Sequence, residues 1–328
     1  MTVLVTGGTG FLGAHLCEAL LARGEEVVAL DNLATSNGDA LERLARYPRF
    51  SFIKGDVCAR PPVAGEFHAI AHLACPASPD EYLRLPLETL AIGSHGSDFV
   101  LGLARENNCR VLLASTSEVY GDPLERPQRE DYWGNVNPVG PRSVYDESKR
   151  YAEALFMAHR RAGGVNTGIV RIFNTYGPGL RPSDGRVVSN FVAQAIHGRP
   201  LTIYGDGRQT RSFCYVSDLI DGLIRMLTSA ETGPVNLGNP NEISILELAR
   251  TILSLTDSDS PLEFRPAPED DPNTRQPDIT RARALLSWAP TVSLAEGLAR
   301  TIAWQRSLAT ADLHGHSQVA ELDAAHVL

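Results

Sequence analysis

Short apolar runs alternate with amphipathic stretches through the first half of the chain. The runs predict strands at Val3–Thr6, Val27–Leu30, Phe50–Lys54, Ala69–Leu73, Arg110–Ser115 and Thr167–Arg171. Between them, apolar residues at helical spacing predict helices at Gly13–Arg23, Gly38–Arg46, Pro86–Asn107 and Tyr145–Ala162. In the first of these Leu12, Leu16, Ala19 and Leu20 share a face and Gly24 supplies the stop. Strand and helix in strict alternation is the pattern of a doubly wound parallel sheet. After Arg171 the rhythm breaks at Pro178, Pro182, Gly185, Pro200, Gly205 and Gly207, as in a region that covers a site. A helix over Ser212–Leu227, with Val216, Leu219, Leu223 and Leu227 on one face, is expected to return to the sheet. Another is expected over Ile243–Leu255, begun by the Asn241-Glu242 turn. Pro266–Pro277 reads as a long ordered loop or a disordered linker, and the tail from about Thr310 shows no periodicity.

The first strand runs into Thr6-Gly7-Gly8-Thr9-Gly10-Phe11-Leu12-Gly13 and then a helix. Glycines in such a turn let the backbone approach a pyrophosphate, and the helix N-terminus offers N–H groups and a positive dipole end to the anion. Asp31 closes the next apolar run, where a carboxylate accepts hydrogen bonds from adenosine ribose hydroxyls and repels a 2′-phosphate. NAD is therefore expected over NADP. Asp56, in the Gly55-Asp56-Val57 end of the third strand, lies where the adenine amino group is expected. The fold class is thus Rossmann-like α/β with a smaller mixed α/β unit that binds substrate. Residues 1–170 form the expected NAD-binding part, with a return segment around 212–238; residues 171–308 are mainly for substrate, and 309–328 are a tail.

Composition removes several classes. A net charge of −9 over 328 residues argues against a nucleic-acid surface, so an anionic substrate needs locally placed arginines. No apolar run approaches the ~20 residues of a membrane span. The first strand begins at Thr2 or Val3, which leaves no room for a signal peptide, and a cytoplasmic location is expected. Five cysteines, Cys17, Cys58, Cys75, Cys109 and Cys214, contain no C-x-x-C, which fits reduced thiols and no metal site.

The candidate chemistry lies between Leu113 and Lys149. Tyr145 and Lys149 stand at i and i+4, on one helical face. Lys54 is the only other lysine of the chain. A phenol is a poor base at neutral pH, but a fixed cation and the positive nicotinamide of NAD are expected to favour phenolate. Thr116 and Glu118 follow the fifth strand and should emerge at the cofactor edge of the sheet, or else cap that turn. His72, with no nucleophile or carboxylate beside it, is expected to be structural.

Beyond these motifs, the segments Thr6–His15, Leu73–Pro79, Leu113–Pro123, Asp131–Gly134, Tyr145–Arg150, Arg171–Pro178, Asp184–Phe191, Gln209–Phe213, Val235–Pro240 and Arg275–Ile279 resemble extended short-chain dehydrogenase/reductases. Among these, the chain is most similar to the UDP-glucuronate decarboxylase (UDP-xylose synthase) family, from about residue 2 to 305. It departs in having Cys75 where serine is usual and no basic residues in Asn32–Asp39.

The resemblance implies that Gly7, Gly10, Phe11, Leu12, Gly13, Asp31, Asn32, Asp56, Val57 and Leu73 hold NAD, with Tyr145 and Lys149 at its nicotinamide ribose. It implies that Pro76 and Ser78 lie near the sugar. Asn174, Asn190 and Arg211 would take the diphosphate region of a UDP-sugar, with Tyr204–Arg208 near the uridine. Glu118 and Arg275 would face the sugar carboxylate, and Tyr145, Lys149, Thr116, Glu118 and Arg275 would carry the reaction to UDP-xylose and CO2 through a UDP-4-keto sugar. For Arg275 the residues leave a second role open, pairing with the acids of Glu269–Asp271. In the active-site role an Arg275→Ala chain is expected to fold normally and keep its NAD but lose most decarboxylation. A homodimer built on helices Pro86–Asn107 and Tyr145–Ala162 is implied as well. Three alternatives stand beside this reading. A nucleotide-sugar 4,6-dehydratase would carry Asp where Ser117 stands. A UDP-sugar 4-epimerase needs no arginine facing a carboxylate. A nonenzymatic NAD sensor would show a broken Tyr/Lys pair, whereas both residues are present.

Overall fold

The computed structural model describes residues 1–308 except 37, 183, 268–271 and 273. The chain runs β1 (Thr2–Thr6), α1 (Phe11–Ala22), β2 (Glu26–Asp31), α2 (Asp39–Leu44), β3 (Phe50–Lys54), β4 (Ala69–His72), α3 (Pro79–Arg84), α4 (Pro86–Ala91), α5 (Ser97–Glu106), β5 (Arg110–Thr116), α6 (Ser143–Gly163) and β6 (Thr167–Ile172). It continues through β7 (Thr175–Tyr176), α7 (Val187–Ile196), β8 (Leu201–Tyr204), β9 (Thr210–Ser212), β10 (Cys214–Tyr215), α8 (Val216–Thr228), β11 (Val235–Leu237), β12 (Glu242–Ser244), α9 (Ile245–Thr256), β13 (Leu262–Arg265) and α10 (Thr280–Leu286). Residues 294–308 are also helical.

Seven parallel strands make the central sheet in the order β3-β2-β1-β4-β5-β6-β11. Its strands are apolar on both faces because helices cover both. Val3, Val5, Ala29 and Leu112 pack with Leu16 and Leu20 of α1 and Leu219 and Leu223 of α8. Leu4, Leu30, Ile70, Val111 and Leu113 pack with Val100 and Leu101 of α5 and Phe156 of α6. Strand order reverses between β1 and β4, so a crevice opens at the carboxyl ends of those strands, where ligands of such sheets collect.

The second half corrects several expectations. The helix anticipated from Ser212 begins at Val216, because Thr210–Ser212 pairs with β12 and Cys214–Tyr215 with β7. Likewise α9 begins at Ile245 rather than Ile243; Glu242–Ser244 is a strand, and Ser244 forms a capping box with Glu247. The helix expected over Pro86–Asn107 is α4 and α5 joined by a π-helical turn, Ile92–Gly96. There Gly93 packs so closely on Ser148 of α6 that a methyl group would strike its hydroxyl and carbonyl. Within Pro266–Pro277, residues 268–271 and 273 lie outside the described residues, as does the tail from 309. Gln276–Asp278 instead docks on Gln128. Gln128 N donates to Gln276 O (2.8 Å), and Asp278 N donates to Gln128 O (2.9 Å). Among the described residues no helix is long and apolar enough to cross a membrane.

Candidate active site

A cavity of about 1020 Å3 follows the carboxyl edge of the sheet. At one end lies the glycine turn. Gly7 takes φ +70°, and a methyl group there would stand 2.7 Å from Ala74 N; a methyl on Gly13 would strike the Gly7 carbonyl. Only glycine permits that turn. Gly10 lines the cavity with nothing nearer its missing Cβ than Gly7 O at 3.3 Å, and it starts α1 without a side-chain cap. This is a cradle open to an anion at a helix N-terminus. Asp31 accepts Thr9 N (3.0 Å) on one oxygen and Leu33 N (2.9 Å) on the other. Each oxygen keeps a lone pair for a hydroxyl. Asp56 accepts Cys58 N (2.8 Å) and Asn32 Nδ2 (2.9 Å), which joins the ends of β2 and β3. The residues therefore fit a dinucleotide.

The middle of the cavity holds Tyr145 and Lys149. Gly164, in the left-handed conformation, ends their helix, and Tyr145, Ser148, Lys149, Ala152 and Phe156 form its buried face. Lys149 Nζ donates to Ala114 O (2.9 Å) and lies 5.9 Å from the Tyr145 ring centroid. The Tyr145 hydroxyl bonds the Thr116 side chain. Thr116 Oγ1 in turn accepts Glu118 N (3.2 Å), so this threonine both caps the turn and faces the phenol. Tyr82 stacks on Tyr145, rings 5.1 Å apart and 7° from parallel. The lowered phenol expected from the Lys149 neighbourhood is not what the protein alone produces. Burial first, then the Cys75 thiol, pushes Tyr145 up. The Cys75 thiol is itself raised by burial, against a hydrogen bond with Lys149. His72 is structural, as expected: Thr6 Oγ1 bonds its Nδ1 (2.7 Å), and burial followed by Lys149 lowers it to about 3.

Beyond Tyr145, Glu118 Oε2 accepts Arg142 Nη2 (2.7 Å) and Arg275 Nη2 (2.8 Å). Burial opposes its charge, but Arg275 and Arg142 hold the Glu118 carboxyl well below the usual carboxylate range. Arg275 is only 1% exposed, and its Nη1 donates to Ser117 O (2.8 Å) and Gly121 O (2.9 Å). The partners seen for it are these, since Glu269–Asp271 lie outside the described residues. Burial to this degree argues that Arg275→Ala costs stability, because removal would leave two buried carbonyls without this donor and Glu118 with Arg142 as its remaining cation. Asp146, beside Tyr145 in sequence, is 6% exposed with no hydrogen-bond partner for Oδ1 among the described residues, and burial followed by Glu118 pushes its carboxyl up.

Leu73, Pro76, Ser78, Val57, Phe11, Leu12, Asn174, Tyr204 and Arg211 also line the cavity. Ser78 Oγ, buried in that wall, has no hydrogen-bond partner among the described residues. Asn174 O accepts Cys214 N (2.9 Å), and Arg211 Nη1 donates to Thr210 O (2.9 Å). Among the site residues expected from the sequence, Asn190 on α7 falls outside the lining, as do Gly205, Asp206, Gly207 and Arg208 of the uridine segment, of which Tyr204 alone is in it. Sequence reasoning missed Arg142, Tyr82 and Asp146. The signal for Arg142 and Asp146 was their place within four residues around Tyr145; Tyr82 carried none.

The model of the NAD dependent epimerase/dehydratase family matches residues 3–238. A UDP-glucuronic acid decarboxylase 1 of Arabidopsis thaliana is 51% identical over 302 residues, 92% of this chain and 69% of that protein. The protein of the same name from Danio rerio is 49% identical over 300 residues, 92% of this chain and 71% of its own length. The crystal structure of UDP-glucuronic acid 4-epimerase from Bacillus cereus, in complex with UDP-glucuronic acid and NAD, superposes with a TM-score of 0.84 at 27% identity. That match covers 94% of this chain and all of the other.

Proposed function

The chain belongs to the NAD dependent epimerase/dehydratase family, and we propose that it is a UDP-glucuronate decarboxylase, which converts UDP-glucuronate to UDP-xylose and CO2. The observation that carries this is identity near one half, across nine-tenths of the chain, to relatives that bear that name. The site agrees with it, since a hydroxyl-handling pair, Tyr145 and Thr116, stands beside the Glu118, Arg142 and Arg275 group. NAD would lie on the glycine turn with Asp31 at its ribose, where it would supply reversible hydride acceptance for sugar C4.

The chain's own residues do the rest. Tyr145 takes the C4 hydroxyl proton, and Thr116 holds that oxygen in line. Lys149 anchors the nicotinamide ribose and brings a positive charge toward a phenol that burial otherwise keeps protonated. Once C4 is a carbonyl, the carboxylate stands β to it, and the electrons of the breaking C5–CO2 bond flow onto the C4 oxygen. Tyr145 and Thr116 donate to that developing enolate. Glu118, ionised between its arginines, is a poor proton donor, so its task is to orient the water that protonates C5. Arg275 holds Glu118 from behind. Arg211 and Asn174 take the diphosphate region, Tyr204 the uridine, and Ser78 a sugar hydroxyl.

Residues 1–170 with 212–238 act as the cofactor unit, and 171–308 mainly as the substrate unit. The protein works in the cytoplasm as a homodimer paired through α4, α5 and α6, a face on which Leu87, Leu90 and Tyr151 are exposed; light scattering tests the mass. The activity is tested by incubating the protein with UDP-glucuronate and catalytic NAD, following CO2 and the sugar nucleotide by mass and NMR. A UDP-pentose with no net reduced cofactor is expected. Unchanged mass with galacturonate stereochemistry would replace decarboxylation by 4-epimerisation.

A further inference from the structure

Two guanidinium groups converge on Glu118 Oε2, and they are not equivalent. Arg275 is shut in the protein, with one terminal nitrogen on two backbone carbonyls and the other on Glu118. Its planar fork is committed to holding the turn that follows β5. Both arginines stand in the cavity lining and both reach Glu118, but where the Arg275 side chain keeps 1% of its surface, that of Arg142 keeps 16%. It is attached where it matters, because the Arg142 carbonyl accepts Tyr145 N (3.1 Å) and Asp146 N (3.2 Å) and so opens the helix that carries the phenol. From the Tyr145 hydroxyl the wall continues through Thr116 to Glu118 and then Arg142.

In a sugar whose C4 oxygen meets Tyr145 and Thr116, the ring neighbours of that carbon are C3 and C5, and the pose that turns C5 along this wall brings its substituent to Glu118 and Arg142. We infer that Arg142, rather than Arg275, is the residue that receives the C5 carboxylate and so selects a uronic acid over a neutral hexose. The inference rests on the decarboxylase reading above and names a specificity residue within it. Burial, followed by the Glu118 charge, pushes the Asp146 carboxyl up against the pull of Arg142 and Arg275, so it offsets the charge of this wall less than an ordinary aspartate would. The sharing of Arg142 with Glu118 also suits the chemistry. A cation with no other partner would stabilise the carboxylate as strongly before CO2 loss as at any later point and so oppose its departure. Arg142, partly neutralised by Glu118, can orient the carboxylate while gripping it less, and the repulsion between the two carboxylates is relieved when CO2 leaves.

The test compares Arg142→Gln and Arg142→Lys with the parent protein, all loaded with NAD, by calorimetric binding of UDP, UDP-glucose and UDP-glucuronate. In Arg142→Gln, UDP-glucuronate should weaken by about tenfold to a hundredfold, the range of one charge-assisted contact. UDP and UDP-glucose should stay within about threefold of the parent, the allowance for contacts outside the lost pair. Arg142→Lys, which keeps the charge and loses the fork, should fall between. An equal loss for all three ligands, or unchanged UDP-glucuronate binding, overturns the inference. If the glutamine variant does not fold, the lysine variant decides by the same comparison. Absence of CO2 release by the parent protein would defeat the decarboxylase reading instead, and the binding comparison would still report on Arg142.

Discussion

Replacing Arg275 by alanine tests how the site is built as much as what it does. The side chain is 1% exposed and makes an ion pair with Glu118 together with hydrogen bonds to Ser117 O and Gly121 O. Its loss leaves two buried carbonyls without that donor and a partly buried carboxylate with Arg142 as its remaining cation. Breaking a buried pair from one side costs about 3–5 kcal/mol, against a total stability of about 5–15 kcal/mol. At about 2 °C per kcal/mol for a chain of this size, the melting temperature should fall by about 6–10 °C. The assay is urea unfolding by circular dichroism at fixed NAD, since bound cofactor stabilises by mass action. The midpoint should drop with an unchanged slope. Arg275→Met, which fills the space, should lose less when combined with Glu118→Gln than the sum of the single changes, a coupling of about 1–3 kcal/mol. CO2 release by the folded fraction of Arg275→Ala should fall as well, because Glu118 loses its register. An alanine variant within about 0.5 kcal/mol of the parent, the range of an ordinary surface change, would refute the burial argument and return Arg275 to an exposed loop.

Tyr145→Phe should bind UDP-glucuronate within a few-fold yet lose about 10²- to 10⁴-fold in turnover, the range of a positioned proton acceptor; single-turnover absorbance of reduced nicotinamide that survives intact would remove Tyr145 as the base. Asp31→Ala takes the acceptor from Thr9 N and Leu33 N and should weaken NAD about tenfold or more while narrowing its preference over NADP; equal titrations of variant and parent would assign the ribose to another group. The pH dependence of stability should carry the mark of His72. Its folded value of about 3 lies below its ordinary 6.5, so between these the unfolded chain binds a proton that the folded one refuses. Stability then falls by about 1.4 kcal/mol per pH unit as pH drops through that window and is flat above it for this group. Urea unfolding at pH 7 and pH 5 should show the drop in the parent and a shallower one in His72→Asn; identical slopes would show that other groups carry it.

Much of the architecture was legible because its signals are local. A strand buried on both faces is a run of apolar residues wherever it pairs, and the Gly7, Gly10 and Gly13 spacing with Asp31 needs only chain geometry to show a dinucleotide turn. Tyr145 and Lys149 meet because four residues make one helical turn. The short strands β9, β10 and β12 were not legible, since pairs of two or three residues have no period; their partners are what make them strands, and so the helices after them start later than apolar spacing suggested. The same limit governs the site. Arg275 in the sequence is a charged residue in a proline-rich, acidic stretch, and nothing local tells a solvated arginine from a buried one. Gln128, 148 residues away, accepts the Gln276 amide and thereby seats Arg275 against Glu118, 157 residues from it. Local spacing was enough to put the glycine turn, Asp31, Tyr145 and Lys149 on their elements. Which of the two cations on Glu118 is covered and which keeps exposed surface emerged only in the folded chain, because burial and hydrogen-bond partnership are properties of distant segments brought together.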